Sequence, residues 1–122
     1  MADVVYMVRD LMFTSKIREA AERLGVAVVG TRDAAACVDA ARGARMVLID
    51  LRLPDAMAAL EQLARDPATA ATRTVGFVGH EQLDVMQTAR ALGCGEVLAK
   101  GEFATKLPRL LAAADGHLGS PS

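Results

Sequence analysis

With 122 residues, 52% hydrophobic and 24% charged, the chain has material for one domain and one core, not two. Its 14 basic and 15 acidic residues leave a formal net charge of −1, without the basic excess that nucleic-acid binding usually requires. No apolar run reaches the roughly 18 to 20 residues of a membrane span, and no basic leader precedes a signal-like segment, so a cytoplasmic protein is expected.

Val4–Val8 predicts a first strand, apolar on both faces as in a buried parallel sheet. Thr14–Leu24 predicts a helix on the spacing of Ile17, Ala20, Ala21 and Leu24, stopped by Gly25. Ala27–Val29 is a second strand, and Asp33–Ala41 a short helix of small residues. Met46–Ile49 is a third strand running directly into Asp50. Ala56–Arg65 forms a helix that Asp66-Pro67 breaks. Thr74–Val78 and Glu96–Ala99 are strands four and five, with a helix over Gln82–Leu92 between them. A last helix is expected over Ala104–Ala114, with Pro108 in its first turn, where backbone donors lack helical partners anyway.

The alternation predicts an α/β fold: a single flavodoxin-like, doubly wound, five-stranded parallel sheet of order 2-1-3-4-5 with helices on both faces. It should occupy residues 1–115, followed by a loose tail over 116–122. Cys37 and Cys94 stand too isolated for a disulfide framework or zinc site and are expected to pack as small apolar residues. Met7, Met12, Met46, Met57 and Met86 are expected to fill an aromatic-poor core. Gly76 and Gly79 do not make a dinucleotide-binding loop, and His80 has no catalytic set around it.

In such a sheet, ligands bind beyond the C-terminal strand ends, at the switch in strand order. The residues there are Arg9 and Asp10 after strand one, Asp50 after strand three, Val78 and Gly79 at strand four, and Lys100 after strand five. Asp50 followed by Leu51-Arg52-Leu53-Pro54-Asp55, with Gly93-Cys94-Gly95-Glu96-Val97-Leu98-Ala99-Lys100 downstream, resembles the response-regulator receiver domain over about Val4 to Ala114. The resemblance implies that Asp50 is the phosphoacceptor equivalent and Lys100 its cationic partner. It also implies a Mg²⁺ held by Asp50 and an acidic pair after strand one, a Ser or Thr at the end of strand four, and an aromatic switch on strand five.

The sequence departs from that pattern at each accessory position. The acidic pair falls on Val8-Arg9 or, with one deletion, Arg9-Asp10. The hydroxyl position holds Val78 or Gly79, the switch position holds Val97, and Gly101 replaces the usual proline. A permanent guanidinium near Asp50 would repel a divalent ion. The expectation is therefore a degenerate receiver with no resident cofactor, weak Mg²⁺ binding at most through Asp10 and Asp50, and no catalytic residues. It should work by binding a protein: a histidine kinase, another regulator or a second copy of itself. A phosphoacceptor regulator using Asp50 and a small-molecule-binding flavodoxin-like domain remain as the other readings.

Overall fold

The computed structural model describes residues 2–114; the tail expected over 116–122 lies outside them. The strands are β1 (Val4–Met7), β2 (Val28–Gly30), β3 (Met46–Asp50), β4 (Arg73–Val78) and β5 (Glu96–Ala99). The helices are α1 (Leu11–Leu24), α2 (Ala34–Ala41), α3 (Ala56–Arg65), α4 (Leu83–Ala91) and α5 (Lys100–Ala114). The sheet is parallel throughout, in the order β2-β1-β3-β4-β5. This is the expected flavodoxin-like architecture.

Strand alternation divides the core in two. Val4, Tyr6, Val8, Met46 and Leu48 face α1 and α5, packing with Phe13, Ile17, Ala21, Leu107 and Leu111. Val5, Met7, Val47 and Ile49 face the other way, against Cys37 and Val38 of α2, Leu60 and Leu63 of α3, and Met86 of α4. Both cysteines are buried, as expected. Met12 is not core filler as expected: it is 62% exposed, because in the first turn of α1 it is Phe13 that faces the core.

Phe13 of α1, Phe77 of β4 and Phe103 of α5, the only phenylalanines in the chain, meet in one cluster. Phe77 and Phe103 stack with centroids 4.1 Å apart, and Phe13 lies 5.1 Å from Phe77. Such pairs add about 0.5–1.5 kcal/mol beyond the area they bury. They join the helices of one face to a central strand.

Two helices start earlier than the sequence spacing predicts. α1 begins at Leu11, since the Asp10 carboxylate accepts from the backbone N–H of Met12 at 2.8 Å and of Phe13 at 3.4 Å. Leu11 and Met12 are exposed, so the added turn carries no apolar periodicity. α5 begins at Lys100, directly after β5, and Pro108 consequently lies in its interior rather than its first turn. The Glu102 carboxylate accepts from Ala99 N–H at 3.3 Å, which supports this early start.

An interior proline removes a backbone donor and crowds the preceding turn, at a cost of about 3 kcal/mol. Pro108→Ala should therefore raise stability by about 1–3 kcal/mol, read as a higher urea midpoint. An unchanged or lower midpoint would show that the ring is accommodated without cost. Phe103→Ala should lower stability by about 3–5 kcal/mol; a loss under about 1 kcal/mol would mean the aromatic cluster contributes little.

Burial pushes the Cys37 thiol up to about 11, partly offset by a hydrogen bond with Thr31. The unfolded thiol ionises first, so the unfolded chain binds fewer protons between about pH 9 and 11 and stability falls as pH rises through that window. The difference in urea midpoint between the native chain and Cys37→Ala should narrow or change sign across it; a constant difference would contradict this.

Candidate functional site

The C-terminal ends of β1, β3, β4 and β5 form one edge of the sheet. Asp50 is the last residue of β3, paired in register with Phe77 of β4 and only 8% exposed. One residue earlier, Ile49 pairs with Met7, so Val8 is the next β1-side neighbour of Asp50. At the far side Val78 pairs with Ala99, so Gly79 and Lys100 follow side by side. The expected residues are thus brought to one edge, but their side chains do not all converge.

Asp50 Oδ1 accepts from Arg52 N–H at 3.0 Å, an Asx-type turn that bends the chain away from the strand. Among the described residues no buried side-chain oxygen lacks a partner, so the other carboxylate oxygen of Asp50 reaches solvent. No ion pair within 4 Å joins Asp50 to Lys100 or Arg9 among the described residues.

Arg9 corrects the expectation of a guanidinium beside Asp50. Its Nη2 donates to the Arg32 carbonyl at 3.1 Å, drawing the side chain towards the β2–α2 loop. A backbone acceptor on that side fixes the guanidinium at the edge of the sheet instead of its centre. Asp10, the other residue considered for the acidic pair, is committed to the α1 cap. Val8 is buried and apolar.

Two acids that the sequence reading passed over also matter. Asp55 Oδ2 accepts from Ala34 N–H at 3.0 Å, tying the β3–α3 loop to the start of α2. Asp33 caps the same helix through Ala36 N–H at 2.8 Å. The space a side chain at Gly79 would take is filled by the Glu81 carboxylate, so a carboxylate lies where a hydroxyl was sought. Only a long acidic residue two positions after a glycine hinted at this. Val97 on β5 is half-buried against the α2–α3–α4 face.

Among the described residues no group of three His, Cys, Asp or Glu side chains could hold a metal. Mg²⁺ sites need several oxygen ligands in a near-octahedral set. Among the described residues Asp50 is not joined by two further carboxylates, and this donor set does not fit such an ion. Asp10→Ala should accordingly cost about 1 kcal/mol of stability by removing the cap and leave Mg²⁺ affinity unchanged. A fall in Mg²⁺ affinity with no loss of stability would make Asp10 a ligand instead.

No protein-family model matches the sequence, and no curated protein matches it either. Solved structures do. The receiver domain of a sensor histidine kinase from Pseudomonas aeruginosa PAO1, which has a magnesium ion in its active-site cleft, superposes with TM-score 0.77 at 19% identity, covering 94% of this chain and 98% of that one. Chemotaxis response regulator CheY4 of Vibrio cholerae gives 0.75 at 16% identity, over 93% and 98%. A response-regulator receiver domain from Rhodospirillum rubrum gives 0.73 at 20% identity, over 93% of each chain. With the strand order and the Asp50 edge, these likenesses give the chain its place: it has the fold of the response-regulator receiver domains.

Proposed function

We propose that the chain is a signalling module of the two-component type that acts through protein–protein contact and does not depend on phosphorylation of Asp50. The observation that carries this reading is the dispersal of the acids. Asp50 stands at the end of β3, yet Asp10 is spent on a helix cap and Val8 presents only an apolar side chain. A phosphoryl group arriving there would lack the divalent charge that ordinarily neutralises it.

The readout is missing as well. Neither Val78 nor Gly79 offers a hydroxyl, and Val97 has no aromatic ring to reorient. The partner is a cytoplasmic protein, a histidine kinase or another regulator, met on the surface of α4, β5 and α5 that receivers commonly use. No helix of the described residues is long and apolar enough to cross a membrane, which fits this setting.

A second reading, a working phosphoacceptor, is favoured by the solvent-reaching oxygen of Asp50 and by Lys100 directly after β5, on the same edge with β4 between them. Titration of Mg²⁺ with beryllium fluoride, followed by amide NMR, separates the two. The expected result is no shift at millimolar Mg²⁺. Shifts centred on Asp50 and Lys100 and spreading to α4 would establish the second reading. Arg9→Ala should leave Mg²⁺ affinity unchanged, because its guanidinium is turned to the Arg32 carbonyl and not to Asp50; a gain in affinity would show that its charge acts on Asp50 after all.

A further inference from the structure

A groove of about 510 Å³ lies beside the site edge, on the opposite side of β1 from Asp50, between the end of β2 and α1. Its volume falls within the range of small-molecule sites. Tyr6, Val8 and Leu11 supply apolar lining, Thr14 and Thr31 supply hydroxyls, and Arg9, Arg18 and Arg32 supply three guanidiniums. No carboxylate lines it.

The charge arrangement is unusual for a protein with an overall charge of −1. Arg23, Arg42, Arg65 and Arg73 all have carboxylate partners. Arg9, Arg18 and Arg32 have none among the described residues, and unlike the similarly unpaired Arg52, Arg90 and Arg109 they line one groove together. The acids nearest Arg9 and Arg32 in sequence, Asp10 and Asp33, turn their carboxylates to helix caps, and of the two glutamates nearest Arg18 on α1, Glu19 pairs with Arg23 while Glu22 does not line the groove. Three like charges converging on one groove repel one another unless an anion joins them. Arginine is suited to that anion, since its fork binds phosphate oxygens in pairs.

The groove is also kept open. Arg9 is held in place by the Arg32 carbonyl. At Gly30 a Cβ would stand 2.8 Å from the Tyr6 ring, so only glycine lets β2 pass over that ring without displacing it. The apolar lining gives a ligand's organic part a surface that a bare inorganic ion would not use.

We propose that this groove is a binding site for a small organic phosphate, its phosphate held by Arg9, Arg18 and Arg32 and its body resting along Tyr6, Val8 and Leu11. No glycine-rich loop takes part. The site is separate from Asp50 and does not rest on the signalling reading above.

Adenosine monophosphate, ribose 5-phosphate and inorganic phosphate would be titrated into the full chain at low salt, followed by amide NMR. Adenosine monophosphate should bind most tightly, with shifts at Thr14, Gly30 and Thr31. Arg18→Ala and Arg32→Ala should each weaken it roughly tenfold, the loss of one charge-assisted pair. Arg90→Ala, an exposed arginine on α4 outside the groove, should leave it unchanged. Affinity should fall as salt rises. No binding at about 10 mM ligand, affinity indifferent to Arg18 and Arg32, equal affinity for all three ligands, or shifts centred on Asp50 and Lys100 would each overturn the proposal. So would a groove that takes an acidic peptide but none of the three phosphates.

Discussion

The burial of β3 on both faces is the constraint from which the rest of the molecule follows. Met46 and Leu48 need α1 and α5 over them, while Val47 and Ile49 need α2, α3 and α4 on the other side. A strand in the middle of such a sandwich has nowhere to put a polar residue except its end. Asp50 is that residue, and the crevice edge is the one place where its carboxylate keeps a solvent-facing oxygen while its backbone stays in the ladder. Site and core are therefore one arrangement: the same alternation that packs the sheet delivers the carboxylate.

What surrounds that carboxylate is set by competing backbone demands. Helix starts leave unpaired N–H groups that nearby acids readily satisfy. Asp10, Asp33 and Asp55 are each drawn into this role, at α1 and α2. A chain rich in acids around its strand ends can thus still leave few carboxylates free beside Asp50 among the described residues. The arginines are sorted too: Arg23, Arg42, Arg65 and Arg73 pair with acids, while Arg9, Arg18 and Arg32 line one groove without such a partner.

The strands and the sheet order were legible because Val4–Val8 and Met46–Ile49 are apolar runs of strand length bounded by turn residues. Gly25 was legible as a stop because it takes a left-handed φ of 71°. The beginnings of α1 and α5 were not, since their first turns are set by local caps and carry exposed residues that give no periodic signal. The position of Asp50 could be read from a strand ending in an acid. The direction of Arg9 could not, because its partner is a main-chain carbonyl, and a backbone acceptor leaves no mark in a sequence. The aromatic cluster escaped for a similar reason: Phe13, Phe77 and Phe103 lie far apart in the chain and meet only through the crossovers.

The two outer strands carry a further consequence for self-association. β2 spans only Val28–Gly30 and ends in a glycine, and β5 spans only Glu96–Ala99 and opens with a charged residue engaged with Arg73. Short, charged or glycine-terminated rims are poor templates for the backbone of another chain. Extension of the sheet from one molecule into the next is thereby discouraged at both margins. Two copies that meet would do so through helical surfaces, whose side chains can discriminate between partners, and not through continuous strand ladders, whose main-chain bonds cannot.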